Sequence, residues 1–261
     1  HLPTKKEAAR VHAVVDRLRA LADDKTNLRI ESRNPNVDGK GLGFSASGFA
    51  ALGLATSRAL GLNLEPDMLS EIVRLGAGSA SRSLVGGFSI WYANRKGHSY
   101  AEQLASANSI KLRTLIVPIP STMKTDKAHK DVLTSPFFKA RLAYLKGVLQ
   151  RMRRAIGRRD VSEICRLAEV DTLNLHAITM TGKLGTVLVS PLSIRVMEEV
   201  RRLRGEEMVP VWYSLDTGPS VFINTTQKAA SKVERRMRAL ADSVMLSDPG
   251  GPAEIVSHHL F

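Results

Sequence analysis

Apolar residues recur at three- and four-residue spacing over several long segments, which is typical of helices that bury one face. The first such segment follows Thr4-Lys5-Lys6-Glu7, whose spacing is that of a capping box, and it predicts an amphipathic helix over about 5–23. A long helix is predicted over 135–159, with a core stripe of Phe138, Leu142, Leu145, Leu149, Met152 and Ile156. The same periodicity predicts helices over about 49–62, 65–75, 160–177, 191–204 and 228–244.

Shorter apolar or alternating segments between these helices predict strands. They lie at 27–32, 86–91, 112–120, 209–215, 221–224 and 253–257. Pro118 interrupts the third of them, and we expect it to weaken that strand or to place it at a sheet edge, because proline cannot donate to a ladder. Helices outnumber strands and the two types are mixed along the chain, so we predict an α+β fold.

The composition places limits on the kind of protein. With 261 residues, about 43% of them apolar, the chain is long enough for one large domain or for two lobes around a cleft. Lys and Arg (38) exceed Asp and Glu (25) by 13, and this charge favours anionic partners, either phosphorylated small molecules or nucleic acid. The single cysteine, Cys165, excludes a disulfide within the chain and a multi-cysteine metal site, and we expect it to be buried on a helix.

The apolar runs and the first residues bear on membrane and targeting segments. No apolar run reaches the length of a membrane span, and no signal-peptide pattern is present. The chain begins with His1 rather than Met, and its first predicted element is a helix, so we expect the native N-terminus to be missing or not represented in this sequence.

A glycine- and serine-rich turn, Gly41 to Gly48, leads directly into the predicted helix 49–62. Small residues let backbone N–H groups approach phosphate oxygens, and a helix N-terminus adds partial positive charge. The spacing matches neither the GxxxxGK[ST] loop nor the GxGxxG dinucleotide pattern. On spacing alone, both a phosphate site and a tight helix entry with a small-residue packing face stay open.

Two other segments each carry one candidate charged side chain. Arg82 lies in the small-residue run Gly76–Ser83, where its planar guanidinium either binds a carboxylate or phosphate or is a surface group beside close helix–strand packing. Asp216 lies on a turn after the strand 209–215. A turn aspartate often forms only local hydrogen bonds, but flanking strands would hold its carboxylate rigidly, as a general base requires.

Three groups of polar residues allow more than one interpretation. A polar loop that is either solvated or a site for a substrate phosphate contains Lys124, Lys127, His129 and Lys130. A dense basic stretch, typical of a solvated helix face and without the aromatic residues that single-strand binders use, contains Arg151, Arg153, Arg154, Arg158 and Arg159. We expect His176 to be structural, and no group of residues has the spacing of metal ligands.

Taken in order, five segments resemble the mevalonate diphosphate decarboxylase family, within the GHMP kinase superfamily. They are GLGFSASGFAALGLA at 41–55, LSEIVRLGAGSASRSLVGGFSIW at 69–91, TSPFFKARL at 134–142, DTLNLHA at 171–177 and WYSLDTGPSVFINT at 212–225. The resemblance implies a GHMP kinase fold with two lobes around a central cleft. The N-terminal lobe would span 1–108 without its first strands and its substrate-binding lysine loop, and the C-terminal lobe would span 109–261.

The chain departs from the family pattern at three places. Phe44 replaces the first serine of the nucleotide loop, and Ala77 replaces the first serine of a Gly-Ser-Gly-Ser run. Met123-Lys124-Thr125 stands where diphosphate-using members carry a Ser-Ser-Arg triplet or a similar one. The last change, with the wording SPFFKAR, looks more like the archaeal-type branch, which includes phosphomevalonate decarboxylases.

The resemblance therefore implies an ATP-dependent decarboxylase of isoprenoid biosynthesis, with mevalonate 5-phosphate as substrate and isopentenyl phosphate as product. The alternatives are a mevalonate 5-diphosphate decarboxylase, a kinase that phosphorylates mevalonate at the 3-hydroxyl and, from another class, a basic nucleic-acid-binding protein. We expect a cytoplasmic enzyme, a possible homodimer, and neither a nucleic-acid nor a membrane partner.

The same resemblance implies a role for each candidate residue. Asp216 and Arg82 would be catalytic, with Asp216 at the C3 hydroxyl and Arg82 at the substrate carboxylate. Ser79 would also bind the substrate, and Lys124 and His129 its 5-phosphate. ATP, together with Mg²⁺ and without protein ligands to the metal, would be held by Gly41, Gly43, Ser45, Ala46 and Ser47.

Overall fold

The computed structural model describes residues 4–34, 42–121 and 125–258 and divides the chain into two compact units. Of these residues, the first unit contains 4–34, 43–107 and 250–258, and the second contains Leu42 and 108–249. The segment 250–258 therefore lies in the first unit, whereas the predicted boundary assigned it to the second lobe. Within the described residues no helix is both long enough and apolar enough to cross a lipid bilayer.

Helices and one β-hairpin form the first unit. Its elements are α1 (Lys5–Ala22), α2 (Phe44–Ala59), α3 (Pro66–Val73), α4 (Ala80–Val85), β1 (Phe88–Arg95) and β2 (His98–Ala105). The predicted capping box of α1 is confirmed, because the Glu7 N–H donates to Thr4 Oγ1 and the Thr4 N–H donates to the Glu7 carboxylate. β1 and β2 pair in antiparallel fashion.

The core of the first unit lies between its four described helices. The buried apolar residues that form it are Val14, Leu18, Ala50, Leu69, Ile72, Val73, Ala80 and Leu84. Small residues allow close approach here, since a Cβ on Gly53 would lie 2.2 Å from Val73 Cγ1. The packing of α2 against its neighbours is therefore fixed by side-chain size.

The second unit combines a sheet with helices. A short 3₁₀ helix, Ala107–Ser109, leads into it, and its elements are β3 (Leu112–Val117), α5 (Thr125–Val132), α6 (Phe138–Gly157), α7 (Val161–Met180), α8 (Pro191–Glu206), β4 (Val211–Ser214), β5 (Val221–Thr226), α9 (Ala230–Arg238) and β6 (Met245–Ser247). The strands form an antiparallel sheet in the order β4-β5-β3-β6. The core includes Leu115, Tyr213, Ile223, Leu203 and Met237, all fully buried.

Several predicted strands differ from the observed ones. The segments 27–32 and 253–257 form no strand, because alternation of apolar residues is not sufficient without a partner strand. β2 and β6 were not predicted. β3 lies between β5 and β6 and ends at Val117, so Pro118 ends an inner strand instead of marking a sheet edge.

Three helical regions also differ from their predictions. Residues 80–85, for which no helix was predicted, form α4, and the polar loop around His129 is the helix α5 from Thr125 onward. On α6, Leu142 and Leu149 of the predicted stripe are 49% and 46% exposed, whereas Arg141 is buried. Arg141 can be buried because its guanidinium forms an ion pair with the Asp171 carboxylate.

Candidate active site

The predicted nucleotide loop leads into α2 one turn earlier than expected. Gly43 is the residue before the helix, with φ of +77°, and an added Cβ would meet no atom within 4 Å. Glycine is thus required by backbone conformation and not by crowding. Because α2 begins at Phe44, the residues Ser45, Ala46 and Ser47 occupy its first turn. Gly41 lies outside the described residues.

The first turn of α2 has the chemistry of an anion site. Among the described residues, no acidic side chain lies in this turn and no side chain caps it, so none of them neutralises the positive end of the helix dipole there. Ser45 and Ser47 are exposed, and Ser47 Oγ donates to the Phe44 carbonyl at 3.2 Å. Ala46 is buried and would contribute only its backbone. These groups fit a phosphate.

The glycines before Arg82 serve packing. A Cβ on Gly76 would lie 2.1 Å from Phe49 Cδ1 of α2, and a Cβ on Gly78 would lie 3.0 Å from a ring carbon of Trp91. The small-residue packing explanation is therefore correct for both glycines. The close packing at Gly76 places the segment that contains Arg82 against α2, the helix that follows the predicted nucleotide loop, and both belong to the first unit.

Ser79 and Arg82 present different environments at the start of α4. Ser79 is the half-buried residue before the helix and makes no side-chain capping hydrogen bond. Ser81 is buried and donates to the Ser70 carbonyl at 3.1 Å, which fixes the inner face of α4. Arg82 is exposed, and its guanidinium makes no hydrogen bond or ion pair with any described residue. It is available for an external anion.

Asp216 follows β4, at the start of a turn that runs to Ser220. Its carboxylate is exposed and has no hydrogen bond or ion pair among the residues that the structure describes. Its backbone carbonyl accepts from His176 Nε2 at 3.0 Å. The preceding residue, Leu215, donates its N–H to Thr172 Oγ1 (3.0 Å) and accepts from the same hydroxyl (3.1 Å).

The far end of this turn is held equally firmly. Ser193 Oγ of α8 donates to the Pro219 carbonyl at 2.6 Å. Ser220 Oγ accepts from the Ile119 N–H at 2.8 Å and donates to the Ile119 carbonyl at 3.2 Å. The turn is therefore fixed at both ends by hydrogen bonds from neighbouring residues of the second unit, while the Asp216 carboxylate has no partner among the described residues.

His176 is the buried imidazole beside this turn. It is 6% exposed. A carbonyl oxygen only accepts, so Nε2 carries the hydrogen. Burial lowers the pKa of His176, and this effect outweighs the opposing influence of the Asp216 carbonyl and carboxylate. The histidine is neutral at physiological pH.

The residues predicted for the 5-phosphate have less structural context. His129 is exposed on α5. Lys124 lies outside the described residues. Arg82 and Asp216 belong to different units, and their action on one substrate stays a prediction.

Family models match both parts of the chain. Residues 2–101 match the diphosphomevalonate decarboxylase-like N-terminal domain, and residues 119–248 match the mevalonate 5-diphosphate decarboxylase C-terminal domain. A phosphomevalonate decarboxylase from Haloferax volcanii is 39% identical over 95% of this chain and 77% of the relative. The chain belongs to the mevalonate diphosphate decarboxylase family. The resemblance predicted from the five sequence segments is confirmed.

Other relatives widen the range of activities in this family. A mevalonate-3-kinase from Picrophilus torridus is 25% identical over 92% of this chain and 72% of the relative. Against fungal and animal diphosphomevalonate decarboxylases the chain spans 52% to 59% of their length.

Solved structures of the mevalonate diphosphate decarboxylase family establish the fold. The Staphylococcus aureus enzyme matches with a TM-score of 0.90 and 28% identity, over 98% of this chain and 80% of that one. The Enterococcus faecalis enzyme, studied for its mevalonate diphosphate mediated ATP binding mechanism, matches with a TM-score of 0.86 and 29% identity. This match covers 96% of this chain and 78% of that one. A third structure, described as MDDEF in complex with MVAPP, AMPPCP and magnesium, matches with a TM-score of 0.86 and 28% identity. The match covers 96% of this chain and 79% of that one. The predicted α+β fold of the GHMP kinase type is confirmed.

Sequence reasoning predicted a structural His176 but missed its contact with the candidate site. His176 and Thr172 both lie in the DTLNLHA segment, and the role of Thr172 was not predicted. Their spacing of four places both on one face of a helix, but which strand that face contacts is set by tertiary packing. The sequence therefore shows the spacing of Thr172 and His176 but not the contacts that they make with Leu215 and Asp216.

Proposed function

We propose that the chain catalyses the ATP-dependent decarboxylation of mevalonate 5-phosphate to isopentenyl phosphate. The observation that carries this proposal is the 39% identity, over 95% of the chain, with a phosphomevalonate decarboxylase. The geometry agrees with it, because Arg82 and Asp216 both present exposed charged groups without partners among the described residues.

Bound ATP, with Mg²⁺, would supply the phosphoryl group that converts the C3 hydroxyl into a leaving group. The first turn of α2 would hold the phosphates through the backbone at Gly43 and Ala46 and through the hydroxyls of Ser45 and Ser47, and Gly41 would complete the loop. Within the described part of the chain, no three His, Cys, Asp or Glu side chains lie together as a metal site. Mg²⁺ would enter on the nucleotide.

Asp216 would accept or orient the proton of the C3 hydroxyl. Its unpaired, exposed carboxylate is free to do so, and the fixed turn limits where that carboxylate can lie. Positioning of this kind accounts for a large part of many enzymatic rate enhancements. Arg82 would pair with the substrate carboxylate through its planar fork and hold it in line for loss of CO₂, and Ser79 would hydrogen-bond the substrate.

The 5-phosphate would contact Lys124 and His129. In the triplet Met123-Lys124-Thr125 a single lysine stands where diphosphate-using relatives have a polar triplet, and this favours one phosphate over two. Loss of one charge-assisted contact costs ~1.5–3 kcal/mol, or about tenfold or more in binding.

A comparison of three substrates tests the proposal. The full-length protein would be assayed with mevalonate, its 5-phosphate and its 5-diphosphate, and release of CO₂ would be measured beside release of ADP. We expect the 5-phosphate to have a kcat/KM at least about tenfold above the other two, by the contact energy above. A higher value for the 5-diphosphate would support the diphosphate decarboxylase, and ADP without CO₂ would support the 3-kinase.

Two substitutions test the proposed catalytic roles. Asp216→Ala should abolish turnover while ATP binding, measured by calorimetry, survives, and Asp242→Ala, at another exposed aspartate of the same unit, should be active. Arg82→Lys should be severely impaired because an ammonium cannot copy the bidentate fork, while Arg74→Lys should not. CO₂ release by Asp216→Ala at a tenth of the wild-type rate would contradict the assigned role.

We also propose a homodimer in the cytoplasm without nucleic-acid or membrane partners, as the resemblance implies. Analytical ultracentrifugation would report the dimer. Affinity for DNA or RNA that falls steeply with salt would instead support the nucleic-acid alternative.

A further inference from the structure

One face of α7 is bonded to the end of β4 that carries Asp216. Glu169, Thr172 and His176 are spaced by three and four residues, so they share one face of the helix. Glu169 accepts from the Tyr213 N–H at 3.2 Å, Thr172 bonds both backbone groups of Leu215, and His176 donates to the carbonyl of Asp216. Successive turns of the helix thus hold successive positions of the chain as it leaves the sheet.

The three side chains are themselves held in place. Glu169 is 7% exposed and receives both Nη1 and Nη2 of Arg204 at 2.9 Å. Thr172 is 4% exposed and His176 is 6% exposed, so neither side chain has room to change rotamer freely. The helix face is a rigid support.

The hydrogen bond from His176 holds the backbone of the residue that carries the exposed carboxylate, Asp216. Beyond the Asp216 carbonyl, the Asp216 side chain makes no hydrogen bond or ion pair with any described residue. Its location therefore depends on where the backbone of Asp216 is placed. A shift of that backbone would move the carboxylate by a similar distance.

We propose that His176 is a positioning residue for the decarboxylation, which holds the backbone of Asp216 through Nε2 and so places the carboxylate that acts on the C3 hydroxyl. This inference rests on the proposed function. It assigns to His176 no contact with substrate and no proton transfer.

The role predicts a defect in rate and not in binding. A misplacement of about 1 Å in a reacting group can cost about 100-fold in rate. Substrate and ATP would still bind through groups elsewhere, such as the first turn of α2 and Arg82. The KM values should therefore change little when the His176 bond is lost.

Three variants separate positioning from general destabilisation. His176→Leu removes the donor, whereas His176→Gln keeps an amide N–H at about the place of Nε2. Thr179→Val is the matched control, because Thr179 is fully buried one turn along α7 and its hydroxyl donates to the carbonyl of residue 176 within the helix. We expect kcat to fall about 10- to 100-fold in His176→Leu, to recover to within about threefold in His176→Gln and to be unchanged in Thr179→Val, with KM within about threefold throughout.

Hydrogen exchange of the full chain gives a second measurement that does not require activity. The peptide covering 213–220 should exchange faster in His176→Leu than in wild type, His176→Gln or Thr179→Val, whereas the exchange of α2 should be the same in all four proteins. Equal exchange over 213–220 in all four, or a kcat of His176→Leu equal to that of wild type, would overturn the inference. If wild type released no CO₂ from any mevalonate substrate, the proposed function would fail, and the exchange data would still show whether His176 holds the turn.

Discussion

At the scale of single residues, burial decides the chemistry of two titratable side chains on α7. Cys165 is 1% exposed, and burial raises the pKa of its thiol to about 12, with the carboxylates of Glu169 and Asp160 adding to the effect. The sequence prediction of a buried cysteine on a helix is confirmed. A thiol of this kind stays protonated and out of reach of reagents.

Native protein at pH 8 should therefore leave Cys165 unmodified by a disulfide reagent such as dithionitrobenzoate. The measurement is the release of thionitrobenzoate, which should be near zero in buffer and about one equivalent in urea. Rapid reaction of the folded protein would show that the thiol is accessible.

The lowered pKa of His176 has a consequence for stability. The unfolded chain binds a proton near the ordinary histidine pKa of 6.5, but the folded chain does so only at lower pH. The unfolded state thus binds more protons as pH falls below 6.5, and the free energy of unfolding decreases. Urea unfolding at pH 7 and pH 5 should show a larger loss for wild type than for His176→Gln, and equal losses would contradict the assignment.

At the scale of elements, the sequence predicted helices better than strands. α1, α7 and α8 carry their own start signals, and all three helices were predicted. The capping box at Thr4 was identified from the sequence, and the structure adds the Asp160 side chain that accepts from the Glu163 N–H. β6 was missed because its partner strand, β3, is far away in sequence and only the fold brings the two together. β2 was also missed, although it pairs with the neighbouring strand β1 in a hairpin.

The candidate site likewise combines residues that the local sequence indicates with contacts that only the fold reveals. Arg82, Asp216 and the turn before α2 were chosen as candidates because their local sequence is distinctive, and their roles stay predictions. The support of Asp216 by His176 was not predicted, because a side chain that bonds a backbone carbonyl 40 residues away leaves no pattern of its own. Buried Arg141, which bonds Asp171 and Asn174, was missed for the same reason.

The junction between α4 and β1 depends on one glycine. Gly86 has φ of +62°, and a Cβ there would lie 2.2 Å from the backbone of Gly251. Gly86→Ala should lower the free energy of unfolding by about 3 kcal/mol, from backbone strain and overlap together. Gly97→Ala, at φ of +89° with no atom near the added Cβ, should cost only about 1 kcal/mol. Equal losses in chemical denaturation would show that the overlap is relieved without cost.

At the scale of the whole molecule, the first unit is built from both ends of the chain. The Gly87 N–H donates to the Gly250 carbonyl at 2.8 Å, and the Ala253 N–H donates to the Leu84 carbonyl at 3.2 Å. These bonds join the C-terminal segment to α4 and to the residue before β1, two and five residues after Arg82. Residues 108–249 of the second unit lie between these two parts in the sequence.

A chain that ends at Pro249 should therefore lose protection in the first unit. Without residues 250–258, the Gly87 N–H and the Leu84 carbonyl lack their partners, so hydrogen exchange over 80–90 should accelerate while exchange over α7 and β4 stays the same. Unchanged exchange over 80–90 would show that the segment is not needed there.

The return of the chain at Gly250 also sets an order of events during biosynthesis. A ribosome has made α4 and β1 long before it makes the residues that complete them, and at ~5–20 residues per second the delay lasts roughly ten seconds or more. The second unit has all its segments before the first does. Leu84 and Gly87, close to Arg82 in sequence, therefore form their bonds to Ala253 and Gly250 only after residues 108–249 of the second unit have been synthesised.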